Sequence, residues 1–327
     1  VELPAVQRER IEAALHGVSR SALADRAAAM SEGYRARGAA EADALAYVAV
    51  RAPATYAAVR AVLAEITARW PSFAPITMLD LGAGPGSASW AAAEAWPSIE
   101  SFTRLERDAT FIALGRRLTD DDGVWQQTDI AASGDWPPCD LVVLAYVATE
   151  LADLAGAVRR AYDATDEVLV IVEPGTPAGF RRLLEMRRAL LGARATLLAP
   201  CPHEDICPLA PGPGGSGGST PDLGDWCHFS QRVARSRLHR EVKRASAPWE
   251  EERYCYLAFT RSSDDRRAGA RVLAPPRVSK GEVAVDLCTP TGRDRRVVRR
   301  RDRAAYGVAR KLRWGSGLDP ATAHLVG

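Results

Sequence analysis

Apolar residues recur at helical spacing through the first 70 positions of the chain. Ile11, Ala14, Leu15 and Val18 share one helix face, and a second periodic stretch runs from Leu45 to Ile66, broken near Pro53. Pro71 closes this helical region. The pattern then becomes an alternation of short β-rich runs with helix-length segments, the runs being Ile76–Leu81, Ser101–Glu106, Asp140–Tyr146 and Glu167–Glu173. Apolar strands spaced by helices predict a parallel sheet covered by helices on both faces, an α/β fold.

The second half reads differently. Residues 201–228 hold three Cys and two His, and the run from Pro211 to Gly224 has six Gly and three Pro, too poor in packing residues for a core element. An Arg-studded helix is predicted over Ser230 to Arg244, and Tyr254–Thr260 alternates like a late strand of the sheet. Arg271–Leu273, Glu282–Leu287 and the turn Thr289-Pro-Thr-Gly292 predict a small β-rich appendage. The domain reading is therefore an N-terminal helical region (1–72), a sheet domain (73–200), a Cys-rich metal-binding insertion with a basic helix (201–247), a late strand (248–262) and a basic β-rich C-terminal region (263–327). No internal repeat is present.

Composition narrows the class. The chain has 327 residues, 47% hydrophobic and 26% charged, which is globular usage. The longest useful apolar run, Leu141 to Ala148, is far shorter than a bilayer span, and the start carries no signal-peptide apolar region, so the expectation is a cytoplasmic protein without a membrane partner. The net charge of +2 conceals a division. Residues 1–226 carry 20 Lys+Arg against 30 Asp+Glu, and residues 227–327 carry 23 against 11. A basic C-terminal third points to a polyanion, most often a nucleic acid.

Thr77-Met-Leu-Asp80-Leu-Gly82-Ala-Gly84-Pro-Gly86 is the most specific local motif. A strand ends in an acidic residue and runs into glycines at alternate positions, where backbone can approach a ligand closely. The dinucleotide fingerprint wants glycine at position 87, where this chain has Ser. The motif resembles motif I of the S-adenosylmethionine-dependent methyltransferases. Cofactor-binding candidates are Asp80, Gly82, Gly84, Gly86, Glu106 at the end of the second strand, which could accept the ribose hydroxyls, and Asp129 after the third, for the adenine amino group. A catalyst is harder to find. The Asn/Asp-Pro-Pro-aromatic signature of amino-group methylation is absent after the fourth strand. Cys139 stands before that strand, at the wrong end for a nucleophile. Glu150 and Glu173 lie at strand ends and are the weak candidates for a base.

Six Cys occur, at 139, 201, 207, 227, 255 and 288. Without a secretory signal they favour metal binding over disulfides. Pro200-Cys201-Pro-His203 with Cys207-Pro208, and Asp225-Trp226-Cys227-His228-Phe229, flank the glycine-rich run like a clasp closed by metal. Three Cys with His203 or His228 would suit zinc, and four Cys an iron–sulfur cluster. Cys255 alternates within a strand and is predicted buried, while Cys288, ending a strand beside a turn, can project a thiolate. Arginine clusters follow: Arg232, Arg235, Arg237, Arg240, Lys243 and Arg244, then seven Arg among the eleven residues 293–303. The RNA-binding candidates are Arg232, Arg235, Arg240, Lys243, Arg295, Arg296, Arg299, Arg300, Arg301 and Arg303. With few aromatics between them, they suit backbone and shape recognition of folded RNA.

In order along the chain, Leu45-Ala-Tyr47-Val-Ala-Val-Arg51-Ala-Pro53-Ala-Thr55-Tyr56, the glycine turn, Glu173-Pro-Gly-Thr-Pro177, the Cys-Pro-His and Trp-Cys-His-Phe elements, Leu287-Cys288-Thr-Pro-Thr-Gly292 and Lys311-Leu-Arg-Trp314-Gly315 resemble the methyltransferase-like family associated with the ribosomal small subunit, found in bacteria and mitochondria. The resemblance covers nearly the whole chain. It implies a Rossmann-like S-adenosylmethionine methyltransferase sheet with an N-terminal helical region, a Cys-rich metal clasp and a C-terminal β-rich appendage. It also implies a 4Fe-4S iron–sulfur cluster on Cys201, Cys207, Cys227 and Cys288, with Cys255 no ligand. The widened gap between Cys207 and Cys227 departs from that pattern. The implied role is in small-subunit assembly or translation, with 16S rRNA as partner. Three other readings stand beside it: an active rRNA methyltransferase, a non-enzymatic assembly factor with a vestigial cofactor site, and a zinc-containing methyltransferase of proteins or small molecules.

Overall fold

Four helices open the chain: α1 (Ala5–Ala14), α2 (Arg20–Arg35), α3 (Ala44–Val50) and α4 (Ala52–Arg69). Asp43 starts α3 by accepting the Ala46 N–H at 2.8 Å. The break expected near Pro53 falls at Arg51, which leaves the proline in the first turn of α4, where its missing N–H costs nothing. The structure is a computed structural model that describes residues 1–35, 43–132, 134–210 and 226–326, so the glycine-rich run from Pro211 to Gly224 lies outside the described residues.

The alternation follows as β1 (Thr77–Leu81), α5 (Ser87–Ala95), β2 (Ser101–Glu106), α6 (Ala109–Leu118), β3 (Val124–Gln127), β4 (Cys139–Ala145), α7 (Leu154–Asp163), β5 (Thr165–Pro174), α8 (Pro177–Gly192) and β6 (Thr196–Ala199). Then come β7 (Phe229–Ala234), α9 (Arg237–Val242), β8 (Trp249–Thr260), β9 (Ala270–Val272), β10 (Arg277–Ser279), β11 (Glu282–Thr289), β12 (Gly292–Arg299), α10 (Arg303–Ala309), β13 (Gly317–Leu318) and α11 (Pro320–Val326). Among the described residues no helix is long and apolar enough to cross a membrane.

The chain divides into two compact units. The first comprises Val1–Ala64, Ala74–Val172 and Gln231–Glu252. Its strands run parallel in the order β3-β2-β1-β4-β5. The chain builds outward from β1 on one side and continues from β4 on the other, and this reversal is the Rossmann-like signature. Met78, Leu79, Leu81, Leu141, Val142, Val143, Val168, Leu169 and Val170 are fully buried in it. Continuous apolar runs of this kind are what a sheet buried on both faces needs.

The second unit comprises Glu65–Phe73, Glu173–Ser230 and Arg253–Gly327. Here β6 pairs antiparallel with β8. A second sheet runs β10-β11-β9-β13, with β12 also paired to β11. Its core gathers Val272, Val283, Val285, Leu287, Val298 and Leu318, closed by Ala305 and Ala309 of α10 and Val326 of α11.

Three sequence expectations change. The helix expected over Ser230–Arg244 is a strand, β7, followed by the short α9. Ser236 separates them, because its hydroxyl accepts the His239 N–H at 3.1 Å and starts the helix there. The first part of the arginine run, read only for its charge, is strand β12 up to Arg299, paired residue for residue with β11, and Arg303 begins α10. Cys139 begins β4 rather than preceding it, still at the amino end.

Candidate functional site

The turn after β1 is built on glycines that hold left-handed backbone. Gly82, Gly84 and Gly86 have φ of +70°, +54° and +95°. The Gly82 and Ala83 amides both donate to the Leu105 carbonyl, at 2.8 and 3.0 Å, which ties the turn to β2. A side chain at Gly82 would strike Val147, with Cγ1 only 2.4 Å from its Cβ. At Gly84 the nearest atom is Phe111 Cδ1 at 4.0 Å, so the backbone there faces open space that a ligand can fill. Ser87, the first residue of α5, is buried, and its hydroxyl has no hydrogen-bond partner among the described residues.

Carboxylates surround this turn. Asp80 is buried at the end of β1, accepting the Ser89 N–H at 3.2 Å and the Ser89 hydroxyl at 2.8 Å. Burial pushes its pKa up to about 6 against the pull of those bonds and of the Arg104 guanidinium. Arg104 donates to Ser89 Oγ and to both oxygens of Asp121, so Asp80 belongs to a buried framework under the turn. Glu106 accepts the Gly84 N–H at 2.8 Å and the Asp108 N–H at 2.9 Å. Each of its oxygens keeps a lone pair for a further donor such as a sugar hydroxyl. Glu150 pairs with Arg107 at 2.9 Å. Its pKa is raised by burial, with Arg107 opposing and the neighbouring charges of Glu106 and Asp129 adding. Glu106, Asp129 and Glu150 are therefore brought together beside the turn. Asp129 is exposed, with one oxygen on the Ala131 N–H. The donors and the open Gly84 face fit an adenosyl ligand. Glu173 belongs to the second unit, buried and paired with Arg182 at 3.4 Å, which leaves no open face for a base.

A second cluster in the first unit escaped the sequence reading. Arg51 Nη1 and Nη2 donate to the two oxygens of Glu252, each at 3.2 Å, and the Tyr146 hydroxyl donates to Glu252 at 2.8 Å. Arg51 and Glu252 are 201 positions apart, so no local pattern could have linked them.

In the second unit Cys201, Cys207, Cys227, Cys255 and Cys288 line one cavity with His203, Arg187, Arg271 and the apolar Phe180, Leu183 and Leu209. Burial pushes the Cys207 thiol up to about 11. It pushes Cys227 well above the ordinary thiol range, with charge on Cys201, Cys207, Cys288 and Cys255 adding to the rise. Cys288, expected to project a thiolate, is instead buried, and burial raises its pKa strongly; its Sγ is 3.5 Å from His203 Nε2. Cys255 is buried as expected, its Sγ donating to the Pro174 carbonyl at 3.4 Å. His228 packs between Trp226 and Trp314, with ring centroids 4.7 and 4.8 Å away. Arg187 Nη2 donates to the His203 carbonyl at 2.9 Å, while its buried Nε has no partner among the described residues. Arg271 uses all its nitrogens, on the Pro200 and Gly315 carbonyls and on Glu65. A ring of thiols with buried guanidiniums is a donor set that suits a thiolate-bound metal. Among the described residues, however, no three His, Cys, Asp or Glu side chains converge as ligands of a single metal ion.

The basic candidates divide. Arg235 and Lys243 are largely buried on Glu250, at 2.9 and 2.7 Å, and Arg232 pairs with Glu251 at 3.0 Å. Arg240 is exposed. On β12, Arg295 lies 3.8 Å from Asp286, and Arg296 pairs with Asp294 at 2.6 Å. Arg299, Arg300, Arg301 and Arg303 are exposed.

Residues 41–319 match the protein family described as "Mitochondrial small ribosomal subunit Rsm22". The human mitochondrial ribosome assembly protein METTL17 is 29% identical over 304 residues, which cover 85% of this chain and 63% of METTL17. The Rsm22-cox11 tandem protein 2 of Schizosaccharomyces pombe is 25% identical over 45% of this chain and 24% of its own length. The chain thus spans less than two thirds of either relative. Among solved structures, the N-methyltransferase NodS of Bradyrhizobium japonicum is 17% identical over 62% of this chain and 93% of its own, with a TM-score of 0.38. The resemblance drawn from the motifs is borne out, and since the family match spans most of the sequence, the chain is a member of the Rsm22 family.

Proposed function

We propose that this chain is a methyltransferase-like protein of the small ribosomal subunit that binds S-adenosylmethionine in its first unit. The observation that carries the reading is the open face of Gly84, set between Glu106 and the end of β1, where a parallel sheet of this order receives ligands. Glu106 would take the ribose hydroxyls and Asp129 the adenine end. The bound cofactor would supply an electrophilic methyl group. The chain's own groups would hold and orient it, but the two candidate bases are engaged, Glu150 by Arg107 and Glu173 by Arg182. This favours cofactor-dependent assembly of the subunit over dedicated acid–base chemistry. An active rRNA methyltransferase is the second reading.

The thiol cavity would hold the metal, with Cys201, Cys207, Cys227 and Cys288 as ligands of an iron–sulfur cluster. Support comes from the gathering of five thiols in one cavity and from the unpaired Nε of Arg187. Zinc is the alternative. Ribosomal RNA, 16S rRNA in a bacterial small subunit, would meet the exposed Arg299, Arg300, Arg301 and Arg303, with Arg240 in support.

Anaerobic purification with iron, sulfide and zinc analysis tests the metal, and filter binding of 16S rRNA tests the partner. Affinity should fall steeply with salt, and changing those four arginines to Gln should flatten the log–log salt slope by up to about 3. A salt slope near zero in the unchanged protein would remove the RNA claim. Methyl incorporation into a defined nucleotide, lost in Gly84→Asp, would select the enzyme reading.

A further inference from the structure

The Tyr47-to-Tyr56 motif has no place in the glycine turn or the thiol cavity, yet it contributes to a second, half-buried polar cluster of the first unit. Arg51, at the end of α3, grips Glu252 with two hydrogen bonds, and its guanidinium carbon lies 5.7 Å from the centre of the Tyr146 ring. Tyr146 is the first residue after β4, its N–H donating to the Val172 carbonyl at 2.7 Å. It holds φ at +63°, which costs a bulky side chain about 1–3 kcal/mol and persists only where its surroundings demand it. In that conformation its hydroxyl donates to Glu252.

The cluster adjoins the glycine turn. Strand β4 lies next to β1, and the crevice at their carboxyl ends is where the strand order reverses. Tyr47, one helical turn before Arg51, bonds Thr55 at 3.1 Å and meets Phe111 edge-on at 5.3 Å. Phe111 is the residue facing the open side of Gly84. Burial raises the Tyr47 phenol pKa; Thr55 and Arg51 oppose the rise, and the charges of Glu252 and Glu106 add to it.

An enclosed ion pair is a poor source of stability, since desolvation offsets most of its attraction. This one is not sealed: the Arg51 side chain is 26% exposed and that of Glu252 12%. A fixed guanidinium and carboxylate side by side match a zwitterion, the first meeting an α-carboxylate and the second an α-ammonium. We infer that Arg51 and Glu252, with Tyr146 positioning Glu252, form the receptor for the α-amino-acid end of the S-adenosylmethionine ligand. The inference rests on the cofactor reading and assigns it a second half: Glu106 and Asp129 serve the nucleoside, while Arg51 and Glu252 serve the amino acid.

Calorimetric titration of the intact chain with S-adenosylhomocysteine and with 5′-methylthioadenosine, which lacks the amino-acid end, tests it. The unchanged protein should bind the first at least about tenfold more tightly. Arg51→Met should erase that advantage while leaving methylthioadenosine affinity intact. Arg51→Lys, which keeps the charge beside Glu252 and so protects the fold, should lose about tenfold for S-adenosylhomocysteine alone. Loss of both ligands in equal measure by a folded Arg51→Lys protein, or full retention of both, would overturn the inference and leave the cofactor reading standing. No binding of either ligand by the unchanged protein would overturn both.

Discussion

The two sites of this molecule treat charge in opposite ways. In the first unit three arginines around the glycine turn each meet a carboxylate: Arg104 faces Asp121, Arg51 faces Glu252 and Arg107 faces Glu150, while Glu106 accepts two backbone amides. In the second unit like groups are gathered. Five thiols share one cavity, and charge on any of the other four raises the pKa of Cys227 further. A complemented site keeps its shape without a ligand. A cavity of mutually opposed acids reaches its ionised form only with a cation among them. On the proposed reading the first site receives a guest and the second is completed by one.

The largest effect should come from the thiol cavity. On the proposed metal reading, replacing Cys207 or Cys288 by Ser should abolish bound metal and lower the melting temperature of the loaded protein by about 10 °C or more, because metal held by such a clasp contributes folding free energy. S-adenosylmethionine affinity, read by calorimetry, should stay within about twofold. Loss of both together would erase the contrast between the sites.

Next in size is a pair of glycine changes. Gly82→Ala adds a methyl group against Val147 at a left-handed backbone and should cost about 2–4 kcal/mol in urea unfolding. Gly84→Ala meets only open space, so it should cost about 1 kcal/mol of stability while weakening cofactor binding more than tenfold. The reverse ranking in stability would mean that Gly84, not Gly82, supports the turn.

Asp80 supplies a smaller, pH-dependent effect. Folded, its carboxyl holds a proton up to about pH 6; unfolded, only up to its ordinary value near 4. The folded state therefore binds the extra proton, and its stability falls as pH rises from about 4 to about 6, by about 2–3 kcal/mol from this group. Asp80→Asn should lose that part of the slope in denaturant titrations across the window. An unchanged slope would show that Asp80 is ionised throughout.

Strands β4 and β5 were legible because sheets buried on both faces demand apolar runs, β1 and β2 as shorter β-rich runs that admit the buried Asp80 and Arg104, and the glycine turn because its backbone geometry demands glycine. Strand β12 was not, since of its seven side chains only that of Val298 is buried. The stretch that became β7 carries arginines at spacings compatible with either a helix or a strand, and only Ser236 marks the boundary. The thiol positions were legible as spaced Cys-Pro and Cys-His pairs and the burial of Cys255 from its strand, but the burial of Cys288 was not, because the cavity is walled by Phe180, Leu183 and Leu209 of distant segments. The Arg51–Glu252–Tyr146 cluster was hidden for a similar reason: three ordinary residues from distant segments acquire meaning only when the fold closes them together.

The central claim is that the glycine-turn site is complete within the first unit and independent of the thiol cavity. It is tested most directly by titrating S-adenosylmethionine into the intact chain after metal has been stripped under anaerobic conditions. Saturable one-to-one binding, with the affinity of the metal-loaded protein, is the result predicted. Binding that appears only when metal is restored, or no binding in either state, would contradict it.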